Sequence, residues 1–262
     1  MSAAPLADSV TVVGASTAGC HHTLSGAPCQ DASAWGSFPG RGWAFAVADG
    51  AGSSPRSAEG AQLAVELVIK ILEDVLAEPG GAGPLDTAAA IELAVEASQG
   101  AIRAMAREQG EPEGHFSTTL QVAVAFPEYV TFAQLGDGAC VLRRHGSDVY
   151  GLVFVPHEGE YAGETCFLPR HPSDEHPLSL CTVQGSWAAF ALLTDGIASV
   201  AITHATLVPV SGFFKPIENL LRQRSPEFVT RCLTRDLESG SIAKRVGDDR
   251  TLVFAIQNEP AR

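Results

Sequence analysis

Two strand-like segments of the chain each end in an aspartate followed by a glycine. Ala46–Ala51 (AVADGA) delivers Asp49 to such a turn, and Ala191–Ala198 (ALLTDGIA) delivers Asp195. A third aspartate, Asp248, lies just before the apolar run TLVFAI. Because Asp-Gly is a common turn dipeptide, any one of these sites taken alone indicates only a turn. Three of them in one chain predict sheets whose strand ends gather carboxylates.

Carboxylates at rigid strand ends are typical of a site for hard divalent cations. Mg²⁺ and Mn²⁺ favour oxygen ligands, and a glycine beside the carboxylate lets a ligand or a backbone carbonyl approach closely. The sequence therefore predicts a metal cluster built on Asp49, Asp195 and Asp248.

Short runs rich in β-branched and aromatic residues predict strands, and apolar residues at four-residue spacing predict helices. The predicted helices begin at Ser54 and near Asp86, and a third spans Pro226–Glu238. The predicted strands are Ser9–Val13, Trp43–Asp49, Thr118–Phe126, Tyr129–Leu135, Cys140–Arg144, Val149–Val155, Trp187–Leu193 and Thr251–Ile256.

The order of these elements indicates the fold class. Strands, then two helices, then a run of strands, then a helix and a strand favour an α+β layered domain over a parallel βαβ array. The polar stretch Pro156–Gly185 predicts a long functional or mobile loop. We expect the first helix to bury the face that carries Leu63, Leu67, Ile71 and Val75.

Six short motifs follow one another along the chain: QDA (Gln30–Ala32), ADGAGS (Ala48–Ser53), STT (Ser117–Thr119), LGDG (Leu135–Gly138), TDG (Thr194–Gly196) and DDRT (Asp248–Thr251). Their order resembles the metal-dependent protein phosphatases of the 2C type (PPM family), closest to their bacterial branch. The resemblance runs from about Gly14 to Ile256. It implies a four-layer αββα sandwich, in which two antiparallel sheets are stacked face to face and flanked by helices.

The resemblance also implies roles for individual residues. Asp49 matches the carboxylate that bridges two ions, and the Gly50 carbonyl matches a backbone ligand. Asp195 and Asp248 would complete the shell of the other ion, so that Asp49, Asp195 and Asp248 form the catalytic set. Asp137 matches the ligand of a third, weaker metal site, although Gly-Asp-Gly is also an ordinary hairpin turn.

Two further aspartates lie near this set. Asp31 matches a residue held beside the metals without binding them, or it caps local backbone. Asp248 and Asp249 are adjacent, so in an extended segment their side chains point to opposite faces and only one reaches the cluster. The family pattern favours Asp248, and Asp249 is the alternative ligand or a neighbouring hydrogen-bond acceptor.

The chain departs from the family pattern at several positions. Gln30 stands where eukaryotic relatives have a glutamate, and Ser53 replaces a glycine of the signature. Gly26 stands where many relatives have an arginine that clamps phosphate. The candidates to replace that arginine are His22, Arg41 and Arg56, each of which is otherwise a solvated surface residue.

The implied function is a serine/threonine phosphoprotein phosphatase that uses two Mn²⁺ or Mg²⁺ ions, with a third ion at Asp137. Hydrolysis would proceed by direct attack of a metal-bridging hydroxide, without a covalent intermediate. The alternative is a weak or inactive phosphatase-like domain that acts as a regulatory binding module. A third hypothesis is a two-metal hydrolase of small phosphate esters. The expected partners are a phosphorylated protein and a cognate serine/threonine kinase.

Composition limits the number of domains, the kinds of partner and the location that we expect for this chain. With 262 residues, 45% of them apolar, we expect one phosphatase 2C-like domain over residues 1–262. A formal net charge of −13 disfavours nucleic acid and anionic membrane surfaces as partners. The six cysteines include no C-x-x-C pair, and no apolar run is long enough for a membrane span. We therefore expect a cytoplasmic monomer.

Overall fold

The computed structural model describes residues 10–38, 42–77, 83–154, 165–170, 178–203 and 205–258. Its strands are β1 (Val10–Thr17), β2 (Ala32–Phe38), β3 (Gly42–Ala48), β4 (Leu120–Phe126), β5 (Tyr129–Leu135), β6 (Ala139–Arg144), β7 (Tyr150–Leu152), β8 (Ser179–Gln184), β9 (Trp187–Leu193), β10 (Ile202–Thr203), β11 (Val208–Pro209) and β12 (Arg250–Gln257). Its α-helices are α1 (Cys20–Ser25), α2 (Ser57–Leu76), α3 (Pro84–Gln109), α4 (Asp195–Ala201), α5 (Ser211–Leu221), α6 (Pro226–Glu238) and α7 (Gly240–Ala243).

Ten of these strands form two antiparallel five-stranded sheets. Sheet A has the order β1-β12-β9-β6-β7, and sheet B has the order β2-β3-β4-β5-β8. The sheets face each other across a shared apolar layer, in which Phe190 of sheet A lies edge-on to Phe45 and Phe132 of sheet B at ring-centroid distances of 4.9 and 5.6 Å. Apolar faces on both sheets must be buried, and stacking them removes both from water.

Helices cover the outer face of each sheet. Residues of α2 and α3 form one core with the outer face of sheet B, and residues of α5 and α6 form another with the outer face of sheet A. The predicted α+β sandwich of two stacked antiparallel sheets flanked by helices is therefore confirmed. Within the described residues, no helix has the length and apolar character needed to cross a membrane.

The buried face of α2 differs from the predicted one. Val75 is 41% exposed, and Leu63 and Ile71 are only partly buried, whereas Val68 and Leu72 are fully buried. The buried stripe also contains glycine and alanine, and an added Cβ at Gly60 would lie 2.0 Å from the Phe116 carbonyl oxygen. The prediction was wrong because it followed only large side chains, while a small residue such as Gly60 allows this helix to approach the Phe116 backbone closely.

Several elements were not predicted from the sequence. The strand β2 pairs with β3, but its sequence ASAWGSF lacks a regular apolar alternation. The strand β8 lies inside the stretch predicted as a loop, and it extends sheet B by pairing with β5. Its side chains are mostly half-buried because it is an edge strand. Residues 156–164 and 171–177 of that predicted loop lie outside the described residues.

A buried carboxylate joins sheet A to its outer helices. Glu218 of α5 is 6% exposed and accepts hydrogen bonds from Arg143 Nε (2.9 Å), from Arg222 Nη2 (2.8 Å) and from the Tyr150 hydroxyl. Burial alone would raise the pKa of Glu218, but these donors outweigh it and the pKa is lowered. The ionised form is therefore held in the folded state.

Replacing Glu218 with alanine should destabilise the fold, because Arg143 would keep its partly buried charge without its partner. We expect the free energy of unfolding to fall by about 3–5 kcal/mol, the range for breaking a buried pair. Since the folded-state pKa is lowered, the contribution of Glu218 is complete above the ordinary glutamate pKa and is lost as the pH falls through the lowered value. Urea unfolding at several pH values measures both effects.

The matched control is Asp148→Ala, which removes the exposed Lys215–Asp148 pair (3.3 Å). Exposed pairs contribute only about 0–1 kcal/mol, so this variant should unfold almost like the unchanged protein. Equal losses in the two variants would contradict the role assigned to Glu218.

Candidate metal centre

Five aspartates lie at one end of the sandwich. Asp49 follows β3, Asp137 lies in the turn between β5 and β6, Asp195 begins α4 directly after β9, and Asp248 comes just before β12. Asp31 precedes β2. The Asp49 carboxyl group interacts electrostatically with those of Asp31, Asp195 and Asp248, and Asp195 interacts with Asp137. The structure thus brings together every aspartate that the sequence predicted for the site.

The STT motif, which lies directly before β4, holds the backbone of Asp49. The Thr118 hydroxyl donates to the Asp49 carbonyl oxygen (2.9 Å), as does the Thr119 backbone N–H (2.8 Å). The Asp49 N–H donates to the Thr119 hydroxyl oxygen (3.0 Å). In the sequence this motif was only part of the family resemblance. In the structure its two threonines fix the position of the Asp49 backbone.

The turn after Asp49 tolerates the serine at its signature position. Gly50 N–H donates to the Gln30 carbonyl oxygen (3.2 Å), and Ala51 N–H donates to the Ser117 carbonyl oxygen (2.9 Å). Leu207 is the only non-glycine residue with positive φ in the part of the chain that is described. Ser53 therefore needs no left-handed conformation, and its replacement of glycine leaves the turn intact.

Burial and mutual repulsion dominate the electrostatics of this end. Burial raises the pKa of Asp49, and the neighbouring carboxylates of Asp31, Asp195 and Asp248 raise it further. Burial also raises the pKa of Asp195. For Asp31, burial raises the pKa, while hydroxyl donors from Thr251 and Thr194 offset part of that effect. Like charges this close are unfavourable unless a proton or a cation lies between them.

Two carboxylate oxygens in this group are buried without a hydrogen-bond partner within the described residues, Oδ1 of Asp31 and Oδ1 of Asp195. The other oxygen of Asp31 accepts from the Thr194 hydroxyl (2.9 Å). A buried anionic oxygen without a donor is costly, and a cation would remove that cost. The unpartnered Asp195 oxygen fits a bound divalent ion.

The side chains do not form a complete ligand cage on their own. Within the described ranges, no three His, Cys, Asp or Glu side chains are grouped closely enough to enclose an ion. Mg²⁺ commonly binds through one or two carboxylates and completes its shell with water and substrate phosphate oxygens. A pairwise arrangement of carboxylates at Asp49 and Asp195 is therefore compatible with such an ion.

The adjacent aspartates at the start of β12 point in different directions. Asp249 is 2% exposed, and its carboxylate accepts from Gly19 N–H (2.6 Å), Gln30 N–H (2.5 Å) and His22 Nδ1 (2.8 Å). Asp248 is exposed and interacts with the carboxylates of Asp49 and Asp195. Asp249 thus anchors the segment that leads to Asp31, and Asp248 faces the cluster. The sequence had left open which of the two aspartates does so.

The structure also accounts for the missing arginine. Gly26 ends α1 in the left-handed conformation at φ +72°, where a side chain would be strained. Of the candidate substitutes, His22 contacts Asp249 (2.8 Å) and Arg56 pairs with Glu59 (2.6 Å). Arg41 lies outside the described residues.

The Asp137 carboxylate accepts a hydrogen bond from the Thr165 hydroxyl (2.7 Å).

Comparison with known proteins defines the class. The family model described as protein phosphatase 2C matches residues 18–238. Serine/threonine-protein phosphatase 3 of Escherichia coli (strain K12) is 31% identical over 256 residues, which cover 95% of this chain and 98% of that protein. The chain therefore belongs to the protein phosphatase 2C family, and it is an enzyme of the phosphoprotein phosphatase class.

Solved structures show the same fold at lower sequence identity. The phosphatase Stp1 from Staphylococcus aureus has a TM-score of 0.65 at 13% identity, with 95% of this chain and 96% of that chain covered. The catalytic domain of the phosphatase PstP, solved in complex with two manganese ions, has a TM-score of 0.60 at 19% identity, with 96% and 99% covered.

The two neighbouring aspartates should respond differently to substitution. We expect Asp248→Asn to weaken Mn²⁺ binding strongly without lowering the melting temperature. We expect Asp249→Asn to weaken it only mildly but to destabilise the fold by about 1.5–3 kcal/mol, because an amide turns a donor toward one of the three N–H groups. Calorimetric Mn²⁺ titration and thermal unfolding of both variants test this. Equal losses of Mn²⁺ affinity, or the reverse order, would show that the assignment is wrong by one residue.

Proposed function

We propose that this chain is a serine/threonine phosphoprotein phosphatase that hydrolyses phosphate monoesters directly at a centre of two divalent cations, Mn²⁺ or Mg²⁺. One observation carries the proposal: buried carboxylates converge at one end of the sandwich, and Oδ1 of Asp195, a proposed ligand, lacks a donor within the described residues. The relative from Escherichia coli bears the name of a serine/threonine phosphatase, and the related PstP domain binds two manganese ions.

The proposed ligands are Asp49 as the bridge, the Gly50 carbonyl on one ion, and Asp195 with Asp248 on the other. Asp137 would serve a third, weaker ion together with Asp195. Two such cations supply an acidified water as nucleophile and offset the charge of the phosphoryl oxygens.

The protein's own contribution is to hold these oxygens in place. Thr118 and Thr119 fix the backbone of Asp49 through three hydrogen bonds. Asp31, held by the Thr194 hydroxyl, lies beside the Asp49 carboxyl group. Asp249 keeps the 19–30 segment in position and thereby supports Asp31. Preorganised groups of this kind need little rearrangement when charge develops during reaction.

The alternative of a weak or inactive binding module is not favoured. It rested on Gln30 and Gly26, which replace a glutamate and an arginine of relatives. The backbone N–H and carbonyl of Gln30 link Asp249 to Gly50, and these contacts do not depend on the side chain at position 30. The 31% identity to a protein named as a serine/threonine phosphatase favours the enzyme. The expected substrate is a phosphorylated protein, and a serine/threonine kinase would be the enzyme that supplies it.

Purified protein should hydrolyse a phosphothreonine peptide only with Mn²⁺ or Mg²⁺. Asp49→Asn should remove turnover almost entirely, because one altered side chain disturbs both ions. Release of phosphate is measured with and without metal, and Asp236→Asn on the exposed surface of α6 is the control that should remain active.

Two results would overturn the proposal. Full activity after exhaustive chelation would exclude a metal-dependent reaction. An Asp49→Asn variant that keeps more than about a tenth of the rate would place the bridge elsewhere, since tenfold corresponds to only ~1.4 kcal/mol of barrier.

Binding of free phosphate should be weak, because Gly26 supplies no guanidinium to the site. A lost charge-assisted contact costs roughly 1.5–3 kcal/mol, so the KM for a small phosphate ester and the inhibition constant of phosphate should be on the order of millimolar. Inhibition in the micromolar range would mean that another cation acts as the clamp. Single alanine variants of His22, Arg41 and Arg56 would then identify it by the loss of tight inhibition.

A further inference from the structure

Two glutamines lie directly beneath the turn that carries Asp137. Gln121 of β4 and Gln134 of β5 are cross-strand partners, so their side chains emerge on the same face of sheet B. The neighbouring pair on that face, Ala123 and Phe132, packs into the apolar layer between the sheets. The two amides therefore end that apolar layer on the side of the aspartates.

Gln134 holds both carbonyl groups that flank Asp137. Its Nε2 donates to the Gly138 carbonyl oxygen (2.9 Å) and to the Gly136 carbonyl oxygen (3.2 Å). A single amide thus binds the peptide group before Asp137 and the peptide group after Gly138, and it restricts the turn between them.

Gln121 supports the same turn by contact. An added Cβ at Gly138 would lie 2.5 Å from the Gln121 Nε2 atom and 2.6 Å from the Leu193 carbonyl oxygen. The turn can therefore approach Gln121 and the Leu193 carbonyl this closely only because residue 138 is glycine. The Leu193 carbonyl belongs to the end of β9, one residue before the Thr194–Asp195 step.

Gln121 is an unfavourable choice for packing alone. The residue is fully buried, and neither Oε1 nor Nε2 has a hydrogen-bond partner within the described residues. A buried amide without partners destabilises a fold, and an apolar side chain of similar size would avoid that cost. Each such group in a native protein requires an explanation, and a functional role is one of them.

We propose that Gln134 and Gln121 are positioning residues that set the Gly136–Asp137–Gly138 turn and thereby aim Asp137 at the metal centre. Asp137 interacts with Asp195, so a shift of the turn would change the carboxylate spacing on that side. The inference rests on the proposed function. It adds two residues outside the aspartate set that tune ion binding through the backbone.

The test uses Gln134→Met, which keeps the length of the side chain and removes its donor. Calorimetric Mn²⁺ titration in the absence of substrate should show that the weakest-bound ion loses at least tenfold in affinity, the usual effect of removing a partner that orients a metal ligand. Raising the Mn²⁺ concentration should restore kcat. The control is Gln257→Met at the opposite end of β12, which should match the unchanged protein in both measurements.

A double-mutant cycle separates an effect through Asp137 from a general one. If Gln134 acts through Asp137, the Asp137→Asn and Gln134→Met/Asp137→Asn proteins should bind Mn²⁺ equally. Additive losses would overturn the inference, as would a Gln134→Met loss that Mn²⁺ does not restore.

Gln121→Leu provides a second, independent readout. We expect its melting temperature to be unchanged or higher, because an unpartnered buried amide is removed, while its Mn²⁺ affinity falls. A lower melting temperature with unchanged Mn²⁺ binding would mean a purely structural role and would contradict the inference. If the unchanged protein binds no Mn²⁺ and hydrolyses no phosphopeptide, the proposed function fails as well. If it does both and the glutamine variants behave identically to it, only this inference fails.

Discussion

The repulsion among buried carboxylates at one end of the sandwich is the constraint on which the rest of the site depends. Asp31, Asp49 and Asp195 are each held where burial and neighbouring charge oppose ionisation. A fold keeps such a cluster only if the surrounding structure holds each member firmly and a cation or proton relieves the charge. The carboxylates therefore come from different strand ends, and hydroxyl and amide donors fix the backbone of Asp49 and the side chain of Asp31.

The two-sheet architecture makes that arrangement possible. The antiparallel register pairs the end of β9 with the start of β12 in sheet A, and stacking sheet B on sheet A brings the end of β3 to the same end of the sandwich. The apolar layer between the sheets stops at this end of the sandwich, where Gln121 and Gln134 follow the apolar pair Ala123 and Phe132. The site thus lies at the polar end of the apolar layer between the two sheets. The packed side chains of that layer make the site rigid.

Contacts between the outer helices and sheet A support the site from a distance. Glu218 ties α5 to the outer face of sheet A, and Arg250 donates to the carbonyl oxygens of Leu237 and Ala18, which links α6 to the segment before α1. That segment is also anchored by Asp249. The outer helices therefore contribute to the site by holding the chain that ends in Asp31, without supplying ligands themselves.

By itself the sequence determined the α+β class, most of the long strands and helices, and the set of aspartates that meet, because strand patterning and short motifs are local signals. It did not determine the buried face of α2, the strand β8, or the separate orientations of Asp248 and Asp249. Those depend on contacts distant in the chain: the approach of Gly60 to Phe116, the free edge of β5, and donors at positions 19, 22 and 30. Only the tertiary structure decides such features, since each side chain's role is set by the partner that packing brings to it.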